Sequence, residues 1–108
     1  MISQDIADKL AALGGVTRLD ILWALRDKSV QCQQPDACDI SDTCCNVGEL
    51  ADLLQLSSPT ISYHLKELRR AGFVTRHQEG QQAYFVLNPA AFRPLSRFFQ
   101  NFEVTYNQ

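Results

Sequence analysis

The segment LSSPTISYHLKELRRAG, residues 56–72, constrains the fold of this chain more than any other. Ser58 is placed to cap a helix, because its hydroxyl can accept a hydrogen bond from a free backbone N–H, and Pro59 fits the first helical position. Three apolar residues then recur at helical spacing, which predicts that one face packs on a core: Ile61, Leu65 and Leu68. Gly72 predicts a left-handed end to this helix.

The other faces of the predicted helix are small, polar or basic, which suits a DNA groove. On this hypothesis four side chains approach base edges: Ser58, Thr60, Ser62 and Tyr63. Five more contact phosphates, partly from the segment that follows: Lys66, Arg69, Arg70, Arg76 and Gln81. An ordinary amphipathic surface helix has the same pattern, so the flanking segments decide between the two interpretations.

The segment before this helix, NVGELADLLQL at residues 46–56, is typical of a second short helix. Asn46 and Glu49 resemble a reciprocal capping pair, in which each side chain accepts from the backbone N–H of the other. Two short helices joined by about three residues form a helix-turn-helix, whose second helix enters the major groove of DNA.

The segment after the helix predicts a β-hairpin. Two β-prone runs, residues 73–78 and 82–87, flank the turn residues 79–81 (Glu-Gly-Gln). A hairpin directly after a recognition helix is a wing, which can lay side chains along a phosphate backbone. The alternative is a ribbon with a purely structural role.

These pieces together resemble the ArsR/SmtB family of winged-helix repressors, over most of the chain. The resemblance is carried by LAALGGVTRLDILWAL at residues 10–25 and by the stretch from residue 47 to residue 89. Its most specific motifs are residues 17–19 with Ile21 and Leu22, residues 62–65 with Leu68, and residues 71–74 entering the wing. The resemblance implies a homodimeric cytoplasmic repressor that leaves its operator when an inducer binds, often a thiophilic metal or metalloid.

The expected fold is mainly α with a β-hairpin wing: a dimeric winged helix-turn-helix in the order α-α-α-α-β-β-α. A dimerisation helix is expected at about residues 94–106, beginning at Pro94. Its apolar face is long and aromatic: Leu95, Phe98, Phe99, Phe102 and Tyr106. Because a small monomer needs less apolar surface, we expect this helix to pair with the first helix and with a second subunit. Simple core packing is the alternative.

Residues 1–108 are expected to form a single winged helix-turn-helix domain, because a chain of this length buries one modest core. No run approaches the roughly 18 apolar residues of a membrane span, and the N-terminus lacks a leader pattern. These features predict a cytoplasmic protein with no membrane partner. No catalytic triad order, phosphate-binding glycine loop or carboxylate pair is discernible, so an enzyme is not expected.

The net charge of −2 argues mildly against DNA binding, because nonspecific affinity for DNA comes from cations on phosphates. The distribution of charge matters more than its sum. Between His64 and His77 four cations face a single carboxylate, that of Glu67. This pattern predicts a basic face on an acidic body.

A cysteine-rich inserted loop is expected at about residues 28–46. It holds all four cysteines: Cys32, Cys38, Cys44 and Cys45. Pro35 and three aspartates favour a loop over a helix. Clustered thiols in a cytoplasmic protein favour a soft ion as inducer, with As(III) preferred and Zn(II), Cd(II) or Cu(I) as alternatives. The adjacent pair plus one further thiol provides three thiolates for As(III), whereas the spacing matches no standard zinc motif.

Two alternatives to an ion site stay open for these cysteines. They form a redox switch, in which a disulfide or persulfide reports oxidants or reactive sulfur, or they are incidental or a structural clip. The neighbouring carboxylates disfavour thiolates and slow attack on an oxidant, yet they attract a cation, which favours the ion.

Departures from the family pattern place any ion site in the inserted loop. Some members bind metal through a Cys-x-Cys at the start of the third helix, where this chain has Asn46 and Gly48. Others use Asp, His and Glu on the last helix, where residues 94–108 offer only Glu103. A hypothesis of another class is a winged-helix module that binds a protein through its last helix and never binds DNA.

Overall fold

The computed structural model describes residues 3–31 and 44–103, and in them the predicted winged helix-turn-helix is confirmed. The elements are α1 (Gln4–Ala12), α2 (Val16–Gln31), β1 (Cys45–Asn46), α3 (Val47–Leu54), α4 (Ser58–Arg70), β2 (Val74–Glu79), β3 (Gln82–Leu87), a 3-10 helix (Pro89–Phe92) and α5 (Arg93–Glu103). No helix within the described ranges is both long and apolar enough to cross a membrane.

The helix-turn-helix forms as its local sequence predicts. The Asn46 side chain accepts from the Glu49 backbone N–H at 2.8 Å, and the Glu49 carboxylate accepts from the Asn46 N–H at 3.1 Å, which completes the predicted capping pair of α3. Three residues, 55–57, join α3 to α4. Gln55 has a left-handed backbone (φ 57°), which ends α3 and turns the chain toward α4.

The cap of α4 is Ser57, and the prediction of Ser58 was wrong by one residue. Ser57 has extended backbone angles (φ −72°, ψ 153°), and its hydroxyl accepts from the Thr60 backbone N–H at 3.4 Å. Ser58 is already helical, so Pro59 occupies the second helical position, which also needs no N–H partner. Two adjacent serines before a proline offer the same local pattern, and only the backbone angles separate them.

We expect Ser57→Ala to lower the free energy of unfolding by about 1 kcal/mol, because it leaves a backbone N–H of α4 without its cap. Ser58→Ala is the matched control, and it should change stability by no more than about 0.5 kcal/mol. Urea unfolding of both variants at one protein concentration measures the difference. A larger loss for Ser58→Ala would return the cap to Ser58.

The hairpin is part of a three-stranded antiparallel sheet in the order β1-β3-β2. Strands β2 and β3 pair from Val74 with Leu87 to Glu79 with Gln82, and Gly80 (φ 59°) supplies the left-handed residue of the turn. Asn88 closes the base of the hairpin: its backbone N–H donates to the Phe73 carbonyl and its side chain to the Gly72 carbonyl, both at 2.8 Å.

The prediction of a loop over residues 28–46 was wrong at both ends, which belong to a helix and a strand. Helix α2 continues to Gln31, because no proline or glycine interrupts the chain before Pro35. Cys45 and Asn46 form strand β1, paired with Phe85 and Tyr84 of β3. A strand of two residues is too short for an alternating pattern, so its local sequence does not reveal it. Residues 32–43 lie outside the described part of the chain.

The core lies where α2, α3 and α4 meet the base of the hairpin. Its largest fully buried side chains are Ile21, Leu25, Leu50, Ile61, Leu65, Leu68 and Phe73. The three from α4, Ile61, Leu65 and Leu68, are those that the spacing predicted. The ring of Phe73 packs 4.7 Å from that of Phe92, centroid to centroid, so the core joins the hairpin to the segment that leads into α5.

Helix α5 begins at Arg93, one residue before the predicted start at Pro94. The 3-10 helix runs directly into it, so the chain is already helical when it reaches the proline. Leu95 is buried, whereas Phe99 and Phe102 are 46% and 59% exposed. The predicted end of this helix, residues 104–106 with Tyr106, lies outside the described residues.

Candidate nucleic-acid interface

All nine side chains predicted to contact DNA are exposed on α4 and the hairpin. The four expected at base edges belong to the first half of α4: Ser58, Thr60, Ser62 and Tyr63. They stand opposite or beside the buried stripe, because Ile61, Leu65 and Leu68 occupy the face toward the core. The side of α4 that faces away from the core is therefore polar and exposed to solvent from Ser58 to Arg70.

Four of the five predicted phosphate contacts come together at one cleft. Lys66, Arg69 and Arg70 of α4 and Arg76 of β2 line a surface cleft of about 520 Å³, with Val74 and Thr75 at its base. The chain turns tightly at Gly72 (φ 88°), so β2 lies beside the end of α4. Side chains from both elements therefore reach the same cleft. Gln81 does not join this cleft, because it lies in the turn at the far end of the hairpin.

Local partners moderate the charge in this cleft. Arg70 pairs with Glu67 at 3.3 Å, and Arg76 donates to the Gln78 side chain at 2.6 Å. The Glu67 carboxylate offsets one positive charge, whereas the Gln78 amide is neutral, and a surface ion pair such as Arg70–Glu67 contributes little stability. The cleft is thus a concentration of cations that a polyanion can engage, although the whole chain has a net charge of −2.

The structure describes two of the four cysteines that are predicted to bind an ion. Cys44 and Cys45 are both buried, at 3% and 6% exposure, whereas Cys32 and Cys38 lie outside the described residues. Burial raises the pKa of the Cys45 thiol, and the nearby Glu49 carboxylate raises it further, against an opposing effect of Lys28. Within residues 3–31 and 44–103, no group of three His, Cys, Asp or Glu side chains is arranged to hold a metal ion.

A second small cleft adjoins Cys45. It measures about 330 Å³ and lies between α2 and α3, with Lys28, Glu49 and Leu53 in its wall. Lys28 and Glu49 form an ion pair across it at 3.5 Å. Since Glu49 also completes the cap of α3, the surroundings of this thiol are tied directly to the first helix of the helix-turn-helix.

Comparison with known families places part of this chain in a family of DNA-binding motifs. A model described as a helix-turn-helix domain matches residues 17–77, more than half of the chain. The matched range begins in α2 and ends within β2, so it contains both helices of the motif.

Curated relatives have names of transcriptional regulators. HlyU, a transcriptional activator of Vibrio cholerae, is 31% identical over 99 residues, which cover 92% of this chain and 78% of that protein. ArsR1, an arsenic resistance transcriptional regulator of Pseudomonas putida, is 46% identical over 43 residues, 40% of this chain and 34% of that protein. SdpR, a transcriptional repressor of Bacillus subtilis, is 33% identical over 55 residues, 51% of this chain and 61% of that protein. The chain spans less than two thirds of ArsR1 and SdpR.

Solved structures have the same fold. One described as an ArsR family transcriptional regulator has a TM-score of 0.74 at 17% identity, over 100% of this chain and 96% of that one. HlyU from Vibrio cholerae has a TM-score of 0.65 at 27% identity, over 98% and 96% of the two chains. A fragment from Mycobacterium bovis, described as a homodimeric winged helix-turn-helix DNA-binding domain, has a TM-score of 0.66 at 19% identity, over 95% and 82%.

Proposed function

Because the chain belongs to the ArsR family of winged helix-turn-helix transcriptional regulators, we propose that it is a homodimeric repressor of transcription. In this proposal α4 enters the major groove of operator DNA, and the hairpin lies along the adjacent backbone. The observation that carries it is the cleft at which Lys66, Arg69, Arg70 and Arg76 meet beside the exposed face of α4. A row of cations next to a helix of polar side chains is what phosphate contact and base reading require.

The proposal of a homodimer rests on an apolar surface that is exposed in the single subunit. Phe99 and Phe102 of α5 are 46% and 59% exposed, although aromatic side chains of this size favour burial. The related Mycobacterium bovis fragment is described as homodimeric. A two-fold axis through α5 would also present two copies of α4, which matches the repeat of half-sites in an operator.

We further propose that a thiophilic ion bound by the cysteines releases the operator, with As(III) preferred. Thiols are the donors that soft ions select, and two relatives have names that refer to arsenical resistance. Cys44 and Cys45 would supply two thiolates, and Cys32 or Cys38 the third. The bound ion would hold these sulfur atoms together, and the chain's own contacts would transmit that constraint.

Strand β1 provides the route from the thiols to the DNA-binding face. Cys45 pairs with Phe85 of β3, and Asn46 both pairs with Tyr84 and caps α3. Cys45 is buried but lines the small cleft between α2 and α3, so an ion that bound its sulfur from there would shift β1 relative to the sheet. Both parts of the DNA-binding surface, the helix-turn-helix and the hairpin, would move as a result.

A redox switch is the competing hypothesis for the same cysteines. The raised pKa of Cys45 disfavours it, since the thiolate is the form that attacks peroxide or polysulfide and burial suppresses that form. Ion binding requires the loss of the same thiol proton, so the raised pKa does not decide between the two hypotheses.

A fluorescent DNA duplex with the sequence upstream of the protein's own gene tests both proposals. The experiment measures binding of this duplex by the protein and its release when an ion is added. We expect As(III) to release the duplex from the reduced dimer with a matching loss of titratable thiols. Cys44→Ser and Cys45→Ser should abolish release and leave duplex binding intact. The same substitutions to alanine control for the new hydroxyl.

Three other results have distinct meanings. Binding that ignores every ion but disappears with peroxide or polysulfide would replace the ion with a redox signal. Selective binding that nothing releases would contradict the inducer proposal alone. If the wild-type protein binds all duplexes equally, the proposal of an operator-binding repressor is wrong, and a protein-interaction module becomes the better hypothesis.

A further inference from the structure

The guanidinium of Arg18 on α2 joins three helices behind the exposed face of α4. Its Nη1 donates to the Ala12 carbonyl at the end of α1 at 3.3 Å, and its Nε donates to Nδ1 of His64 on α4 at 3.1 Å. Its Cζ lies 5.8 Å from the centroid of the Tyr63 ring. Arg18 and His64 are both half-buried, so water competes only partly for these contacts.

The hydrogen bond between Arg18 and His64 has only one possible direction. Arginine does not lose its proton in proteins, so its Nε can only donate, and Nδ1 of His64 must accept. The Tyr63 and His64 rings lie 5.3 Å apart at 56°, so a hydrogen bond that fixes His64 also limits the positions open to Tyr63.

Tyr63 is the member of this group that faces outward. Its side chain is 52% exposed, and it belongs to the four residues predicted to approach base edges. A side chain that is held in place before binding loses less rotamer freedom when the complex forms. The guanidinium beneath it thus reduces the entropic cost of placing Tyr63 in the groove.

We propose that Arg18 is a positioning residue for sequence-specific DNA binding: through His64 and the Tyr63 ring it fixes the part of α4 that reads bases. The inference rests on the proposed DNA-binding function. Arg18 would not act as a phosphate contact, because it does not line the cationic cleft. It lies instead beside a cavity of about 370 Å³ whose wall also carries Asp8, Glu67 and Arg70, so two carboxylates offset the two cations there.

Four variants separate positioning from charge. Arg18→Lys keeps the positive charge but loses the planar fork that reaches Nδ1 and the ring together. His64→Asn keeps an acceptor close to the position of Nδ1, whereas His64→Leu removes it. The double variant Arg18→Lys/His64→Leu completes a thermodynamic cycle. Affinity is measured for an operator duplex and for a scrambled duplex at one salt concentration.

We expect Arg18→Lys and His64→Leu each to weaken operator binding about tenfold, with unchanged affinity for scrambled DNA. His64→Asn should retain most of the operator affinity, and the double variant should bind no worse than either single variant. Equal losses on both duplexes, or additive losses in the double variant, would overturn the proposal. Should Arg18→Lys fail to fold, the comparison of His64→Asn with His64→Leu tests the same contact from α4.

A measurement without DNA distinguishes failure of this inference from failure of the proposed function. Long-range ¹⁵N–¹H correlation spectra of the free wild-type protein should show His64 as the Nε2–H tautomer. An Nδ1–H tautomer in a protein that still selects its operator would overturn the role of Arg18 alone. Equal binding to operator and scrambled duplexes by the wild type would overturn the proposed function, and this inference with it.

Discussion

Replacement of Lys66, Arg69 and Arg76 by alanine together should flatten the salt dependence of DNA binding by about five units of slope. The three cations line one cleft, and a dimer presents two such clefts, so six phosphate contacts are lost at about 0.9 units each. Between 50 and 200 mM salt, the wild-type protein should lose roughly a thousandfold more affinity than the triple variant. Fluorescence anisotropy with a scrambled duplex over this salt range measures both slopes.

The control for this experiment is Arg26→Ala. Arg26 is an exposed cation of α2, paired with Asp27 at 3.2 Å, and it lines an apolar groove away from the cationic cleft. Its removal should leave the salt slope unchanged. All three cleft residues are exposed, so the triple variant should unfold at the same urea concentration as the wild type. An unaltered slope in the triple variant would place DNA on another face of the molecule.

Phe73→Ala should have the largest effect on stability, a loss of about 3–5 kcal/mol in the free energy of unfolding. The Phe73 side chain is 0% exposed and packs against the Phe92 ring, so alanine leaves a cavity at the base of the hairpin. Typical domains are stable by only about 5–15 kcal/mol, so this one change removes much of the total. Thermal and urea unfolding at a fixed protein concentration measures it, since dimer stability depends on concentration.

Leu53→Ala is the comparison for Phe73→Ala, because Leu53 is 64% exposed on α3 and alanine is at least as good a helix former. Its effect should stay within about 0.5 kcal/mol. A loss below about 1 kcal/mol for Phe73→Ala would mean that the surrounding side chains close the cavity.

Local patterns in the sequence predicted most of the elements correctly. The spacing of Ile61, Leu65 and Leu68 identified the buried face of α4, and each of these side chains is at most 1% exposed. Two further features also depend only on residues a few positions apart, and both were predicted. They are the capping pair of Asn46 and Glu49 and the turn of the hairpin at Gly80. Among these local features the errors lay at helix ends, where neighbouring residues such as Ser57 and Ser58 are chemically equivalent.

Features made by distant residues were not predicted. Strand β1 exists because β3, about 40 positions later, offers it a free edge, and two residues carry no pattern of their own. The bond from Arg18 to His64 spans 46 positions and depends on how α2 crosses α4. Arg18 was identified only as part of a family motif, without its contact to His64. The cationic cleft was foreseen as a charge pattern, but its closure by Arg76 depends on the turn at Gly72.

The bonds from Asn88 to Gly72 and Phe73 make the hairpin a lever with a fixed pivot. Each of its strands has six residues, which gives an arm of about 20 Å from the pivot to the tip at Gly80. A rocking motion of about 10° at the pivot would carry the tip some 3–4 Å, more than the length of a hydrogen bond. Strand β1 holds this arm partway along, at Tyr84 and Phe85. If the proposed ion displaced Cys45, we would expect the tip to move about twice as far as Phe85, because Phe85 lies about halfway along β3.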